Sequence, residues 1–239
     1  IAMAWWEKKE SAWVYALGWL LVILALLMLC LRFTINNRDY FLKTYQAMDI
    51  EAQIGISAED STDAIMAMID YMEARRQDIQ LEVTEYGQTV TMFNQQEIDH
   101  MVDVRNLYQR FCVVEYIGLV ILAGLWWAML WARRRKPALA GLIRGGLWRA
   151  LAVFGCILVI LGIYSLVDFY DLWTRFHYMF FTNDLWLMDY NTCRMIRICP
   201  LDLFSGIIAR FTALGLCGLA LVSGITAFLG RAPKKGANQ

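Results

Sequence analysis

The sequence predicts an all-α membrane protein: four transmembrane helices with a small α+β extracytoplasmic cap inserted between helices 1 and 2. Three observations predict it. Hydrophobic residues make up 59% of the 239-residue chain and aromatics 14%, a balance that fits a membrane protein better than a soluble domain. Four stretches reach the roughly 20 apolar residues that a helix needs to cross hydrocarbon: about Trp13–Phe33, Cys112–Trp131, Trp148–Phe169 and Gly206–Leu229. The long gap between the first two carries helix-cap and hairpin signals of its own. The chain therefore reads as a single four-helix membrane domain, 1–239, with a cap over 34–111 and a second extracytoplasmic loop over 170–205.

The first apolar stretch is too long for a signal-peptide core, and no small-residue cleavage site follows it. It reads as a retained span. Orientation follows from basic residues in the short flanks. Lys8 and Lys9 precede the first span, Arg133, Arg134, Arg135, Lys136, Arg144 and Arg149 fill the loop between spans two and three, and Arg231, Lys234 and Lys235 follow the last. All fall on one side of a four-span topology. Both termini are therefore expected in the cytoplasm of a bacterial-type cell membrane, with 34–111 and 170–205 outside.

The first outer segment is too long for a plain loop. Ser57 followed by Asp60 resembles a helix N-cap with an acid at its third position. Ala64, Ile65, Met68, Ile69 and Met72 then form an apolar face at helical spacing. Leu81–Val83 and Val90–Met92 flank Tyr86-Gly87 as a hairpin. Asn94 and Glu97 make a second cap signal, and no Pro or Gly interrupts the chain from there to Gly118. One continuous helix is expected from about Gln95 through the second span. His100 lies twelve residues before Cys112, so roughly 18 Å from the apolar boundary at 1.5 Å per residue.

Only two histidines occur, His100 and His177, and the topology puts both on the same side. Imidazole is the side chain best suited to moving protons near neutral pH. His100 shares a helix face with Asp103, Val104 and Leu107, so Asp103 is a candidate to orient or charge-stabilise it; a solvated juxtamembrane face is the bland alternative. His177 lies in a segment dense with Asp168, Asp171, Arg175, Asn183, Asp184, Trp186, Asp189, Arg194, Arg197 and Asp202. Its aromatics suit membrane anchoring, but polar groups near lipid are costly unless paired or used. Glu115 and Arg210 sit slightly inside the outer boundary. They are a candidate intramembrane pair, functional or simply tying two helices together.

Net charge is zero, and no basic patch carries a nucleic-acid motif, so no nucleic-acid partner is expected. Cys30, Cys156 and Cys217 read as small apolar residues within spans, and Cys112 sits at a span edge. Cys193 and Cys199 share the second outer loop. There is no Gly-x-Ser-x-Gly elbow, no His-Glu-x-x-His zinc motif and no phosphate loop. What remains is acid–base chemistry on a lipid-like substrate, with no metal and no cofactor.

The runs Glu97-Ile-Asp-His-Met-Val-Asp-Val-Arg105 and Phe176-His-Tyr-Met-Phe-Phe-Thr-Asn-Asp-Leu-Trp-Leu-Met-Asp189 resemble the signature segments of a bacterial four-span family from low-GC Gram-positive organisms, the lipoprotein intramolecular transacylases. The resemblance covers almost the whole chain. It implies action on diacylglyceryl-modified lipoproteins in the membrane. The sn-2 acyl chain of S-diacylglyceryl-cysteine would move to the α-amine of the same cysteine, giving a lyso-form lipoprotein. His177 is then the first choice for general base and His100 for the second proton carrier or oxyanion partner. Asp103, Asp184 and Asp189 become orienting candidates, Asn183, Arg175 and Arg194 substrate or oxyanion contacts, and Trp186 an orienting or substrate-binding candidate. The sequence departs from the family pattern at Cys193, where an acid is usual, at Cys199, where an aromatic is usual, and at Tyr190, where proline is usual. The paired departure suggests a Cys193–Cys199 disulfide.

Two other readings compete. A phospholipid-dependent acyltransferase working through an acyl-enzyme would need an activated nucleophile, for which Thr182 and Cys193 are the near candidates. A non-enzymatic accessory or scaffold protein would tolerate loss of both histidines.

Overall fold

The computed structural model describes residues 11–230. The flanking basic residues Lys8, Lys9, Arg231, Lys234 and Lys235, used above for orientation, lie outside the described residues. The chain divides into two compact units. One takes residues up to Leu29, Cys112–Tyr170 and residues from Ala213; the other takes Cys30–Phe111 and Asp171–Thr212. Four helices are long and apolar enough to cross a membrane: α1 (Ala12–Ile35), α5 (Gln95–Arg135), α6 (Pro137–Val167) and α9 (Leu201–Leu229).

The first unit is built from parts of these four. Trp19, Val22 and Ile23 of α1 pack with Met129 and Ala132 of α5, with Leu139, Ala140, Ile143, Leu147 and Ala150 of α6, and with Val222 of α9. The buried indole of Trp19 donates to the carbonyl of Ile143 at 2.9 Å. Lipid offers a polar group no partner, so such inter-helix bonds tie the bundle together. Gly118 has a specific reason to be glycine: a Cβ there would lie 2.5 Å from the carbonyl oxygen of Leu21. The small residue lets α1 and α5 approach backbone to backbone.

Two helix boundaries differ from expectation. The third long helix begins at Pro137, not near Trp148. The basic stretch is therefore helical almost throughout, and Lys136 alone separates α5 from α6. Proline at the first helical position lacks an N–H that would be unpaired anyway, and its fixed φ suits a helix start. The last helix begins at Leu201 rather than Gly206. The Pro200 carbonyl accepts from Leu203 N at 3.1 Å and Phe204 N at 3.3 Å, which closes that first turn.

The second unit holds the shorter elements: α2 (Arg38–Ala47), α3 (Ile50–Ile54), α4 (Ala58–Met72), β1 (Glu82–Glu85), β2 (Gln88–Thr91), α7 (Phe169–Phe180, all but its first two residues) and α8 (Arg194–Ile198). The expected cap at Ser57 is present, its hydroxyl accepting from Asp60 N at 3.0 Å. Ala64, Ile65, Met68 and Ile69 are buried on the inner face of α4. The hairpin pairs Glu82 with Thr91 and Glu85 with Gln88. Its two-residue turn puts Tyr86 at φ 48° and Gly87 at φ 80°, a primed turn whose twist matches the strands. α2 and α3 were not anticipated. Asn37 caps α2 by accepting from Tyr40 N at 3.0 Å, and Gly55 at φ 74° ends α3.

α5 starts at Gln95 as expected, with a reciprocal capping box. Asn94 Oδ1 accepts from Glu97 N at 3.0 Å, and Glu97 accepts from Asn94 N at 2.7 Å. Residues 95–111, ahead of the apolar stretch, belong to the second unit. They carry three Gln, two Asp and two Arg, side chains that are costly in hydrocarbon. Glu73 ties this segment down. It accepts from Arg32 Nε and Nη2, from Asn36 Nδ2 and from the Tyr108 hydroxyl.

The expected disulfide is a correction: Cys193 and Cys199 are both free thiols. They cap opposite ends of α8, one at its start and one at its finish. Six residues at a helical rise separate them by about 9 Å, beyond the Cα spacing that a disulfide bridges. Cys193 is fully buried, and burial pushes the Cys199 thiol up to about 12.

Candidate active site

α7 is a short amphipathic helix, and its periodicity builds the site. Trp173, His177 and Phe181 follow one another at four-residue spacing on one face. His177 is 6% exposed. Its ring meets Trp173 edge-on at 4.5 Å between centroids, Phe176 at 5.5 Å and Phe181 at 5.6 Å, and stacks on Trp186 at 4.8 Å. Its Nδ1 lies 2.8 Å from the carbonyl oxygen of Trp173. A carbonyl only accepts, so Nδ1 carries the proton. In the neutral ring that leaves Nε2 with the free lone pair.

His100 comes to the same place from α5. It is 7% exposed, stacks on His177 at 6.4 Å and 29°, and meets Phe181 at 5.2 Å. The two buried rings thus share one aromatic cluster. Burial is the main reason both imidazoles sit below their ordinary value. His100 falls to about 4, with neighbouring His177 lowering it further and Asp103 opposing. His177 is lowered by burial against the opposing Trp173 hydrogen bond. In both, burial favours the neutral ring.

α5 holds the loop after α7 at two points on either side of His100. Asn183 donates to Asp103 at 2.8 Å, and its Oδ1 accepts from Leu185 N at 3.1 Å. Gln96 donates to the carbonyls of Leu185 and Leu187, each at 3.0 Å. Gln96, His100 and Asp103 lie at i, i+4 and i+7, one helix stripe. The strap fixes Trp186, whose backbone sits between the two carbonyls that Gln96 binds.

The remaining candidates stand elsewhere in this unit. Arg175 is two residues from His177, on a different side of α7, and pairs with Asp171 at 2.7 Å. Arg194 and Arg197 both bind Glu85, at 2.6 Å and 2.9 Å. Burial raises the Glu85 carboxyl, but the two guanidiniums outweigh it and hold it below its ordinary value. Asp189 shapes the turn before α8 by accepting from Asn191 N at 2.9 Å. Asp184 is exposed; its carbonyl accepts from Leu187 N at 3.0 Å. In the spans, Glu115 is 2% exposed, and the Arg210 guanidinium lies 4.3 Å from the Tyr40 ring centroid. Among the described residues no cluster of three His, Cys, Asp or Glu side chains is placed to hold a metal.

The sequence reading missed Gln96 and the Trp173 carbonyl. Each stands one helical turn before a histidine, and that spacing was the available signal.

Four membrane-length helices and a buried, aromatic-walled histidine pair mark a multi-pass membrane protein. The chain belongs to the lipoprotein intramolecular transacylase (Lit) family, whose model matches residues 16–204. It is thus a multi-pass membrane acyltransferase, a lipoprotein intramolecular transacylase. No curated protein matches it. Among solved structures it is similar to the membrane-integral lipoprotein intramolecular transacylase Lit from Bacillus cereus, with a TM-score of 0.71, 14% identity, and 93% of this chain and 97% of that one covered. A histidine-to-arginine variant of the Bacillus cereus protein matches with a TM-score of 0.68, 15% identity and 92% of both chains. At such identities the likeness speaks for the fold.

Proposed function

We propose that this chain moves the sn-2 acyl group of an S-diacylglyceryl-cysteine to the α-amine of the same cysteine, at the extracytoplasmic face, by acid–base catalysis at His177 and His100. The observation that carries the reading is the pinned tautomer of His177, stacked against a second buried imidazole.

An α-amine of pKa about 8 is mostly protonated at neutral pH. His177 Nε2 takes a proton from it, and the amine nitrogen attacks the sn-2 ester carbonyl. The N–C bond forms as the carbonyl electrons move to oxygen. Collapse of the tetrahedral species breaks the C–O bond to glycerol, and the glycerol oxygen takes up a proton from His177 or, through the stacked pair, from His100. The nitrogen sheds its second proton to solvent as the amide forms, so one acyl group and one proton have changed places, one proton is released, and no acyl-enzyme forms. Nucleophile and ester lie in one molecule, so orientation supplies much of the acceleration. The aromatic walls exclude water that would hydrolyse the ester, and their faces stabilise the transient imidazolium.

The acyl-enzyme route has little support. Cys193 is fully buried, and the polar side chains beside its sulfur are Asn94, at 3.5 Å, and Thr192, at 3.7 Å, neither of them a base.

Mass spectrometry of lipoprotein N-termini from cells with and without this protein tests the reading. Lyso-form N-termini that appear only with the protein are expected. Unchanged diacylglyceryl termini in both would refute it.

A further inference from the structure

We propose that the indole N–H of Trp186 is the donor that receives the negative charge developing on the migrating ester's carbonyl oxygen, with Gln96 as the residue that positions it. This rests on the acyl-transfer reading above and assigns the oxyanion contact within it.

Trp186 Nε1 is buried with no hydrogen-bond partner among the described residues. Buried polar groups are nearly always paired, so an orphan asks for an explanation. Indole can only donate, so whatever satisfies this N–H must be an acceptor. The ring carrying it stacks on His177 at 4.8 Å and 28°, beside the imidazole proposed to bear the base. An acceptor reaching Nε1 is therefore within reach of that imidazole. His100 Nδ1 is likewise buried and unpaired, so two orphan polar atoms belong to rings packed on His177.

The indole is held for the task. The carbonyls on both sides of Trp186 are bound by Gln96, and the Tyr178 ring meets the indole at 89° and 5.0 Å. A donor fixed before the reaction needs no reorganisation as charge develops, which is the basis of oxyanion stabilisation. Of the donors considered from sequence, the amide and guanidinium groups have acceptors already. Asn183 donates to Asp103, Arg175 to Asp171 and Arg194 to Glu85.

In the step concerned, the amine–carbonyl N–C bond forms and the C=O π pair moves to oxygen. Trp186 donates a hydrogen bond to that oxygen and keeps its proton. The pair returns when the glycerol C–O bond breaks.

The experiment uses the full-length protein in detergent with a diacylglyceryl lipopeptide and with its sn-2 thionoester, in which sulfur replaces the carbonyl oxygen. Benzothienylalanine at position 186 keeps the bicyclic ring and removes only the N–H; Trp186→Phe is the second variant. Loss of one such donor lowers kcat by roughly 10²–10³-fold, and KM should change little. Sulfur is a poor acceptor, so the thionoester should slow wild type markedly and the two variants much less. Gln96→Ala should also shrink the oxygen-to-sulfur ratio. A merely structural role leaves that ratio unchanged. Variants with wild-type kcat, or with the full wild-type ratio, overturn the donor. If His177→Ala is inactive while Trp186→Phe matches wild type, only the donor assignment falls. If wild type itself converts nothing, the acyl-transfer reading falls with it.

Discussion

The Nδ1 atom of His177 lies 2.8 Å from the carbonyl oxygen of Trp173, one turn earlier in α7. That contact leaves Nε2 as the nitrogen with the free lone pair, the base in the proposed reaction, and the surrounding burial favours the neutral ring. The acid limb of kcat/KM should therefore lie below 6.5, the ordinary imidazole value. Activity should hold as pH falls from 7 towards 6 and decline only further down. Initial rates of lipopeptide conversion between pH 4.5 and 8 check this. A limb at or above 6.5 would contradict the buried base.

Stability should respond to the same two rings. Their folded pKa values lie below the unfolded 6.5, so the unfolded chain binds more protons in that window and stability falls as pH drops through it. For His100 the window runs from 6.5 down to about 4. Glu85 adds a second loss at lower pH: with its folded pKa held down, its contribution is present above 4.5 and disappears as pH falls through the lowered value. Melting in detergent should drop between pH 6.5 and 5, and the drop should shrink in His100→Phe.

Asp103 holds Asn183 and, through it, the Trp186 loop. Asp103→Asn keeps an acceptor for Asn183 and should retain most activity. Asp103→Ala should lose about 1–2 kcal/mol of stability, the usual effect of one broken, partly buried hydrogen bond, along with most turnover. If Asp103→Asn is as inactive as Asp103→Ala, the carboxylate charge itself is used, and the strap is not its main role.

Removing Glu85 leaves Arg194 and Arg197 in a site where their side chains are only 23% and 14% exposed. Glu85→Ala should cost about 3 kcal/mol, as expected when one partner of a buried ion pair is removed. Restoring the original local charge with Arg197→Met in the same chain should recover part of it. Chemical denaturation of the single and double variants measures both.

Orientation is testable from the hairpin. In a chain otherwise free of cysteine, Thr89→Cys should react with a membrane-impermeant maleimide added to intact cells. Labelling only after lysis would put this unit on the cytoplasmic side.

Much of the fold is legible because its signals are local. Ser57 with Asp60, Asn94 with Glu97 and Tyr86-Gly87 each declare a cap or a turn within four residues. The start of α6 at Pro137 was hidden because clustered arginines read as a loop, although basic side chains favour the last turn of α5. Of the site, the two histidines were visible by their rarity. Their partners were less so. The spacing of Gln96 one turn before His100 places it on the same face, but its reach to the carbonyls at 185 and 187 leaves no trace in sequence, since the acceptors are backbone atoms common to every residue. Arg194 looked like a substrate contact because its partner, Glu85, lies 109 positions away. The cysteine pair misled because six residues seem close until a helix stretches between them.

The most direct test of the account is conversion of purified diacylglyceryl lipopeptide to lyso-form in detergent by wild type, His100→Ala, His177→Ala and the double variant. Each single change should lower turnover by ~10²–10⁴-fold, the usual contribution of a general acid or base. The double variant should be little worse than the singles, because groups acting as a unit are not additive. Near-wild-type rates in both single variants would contradict the histidine mechanism.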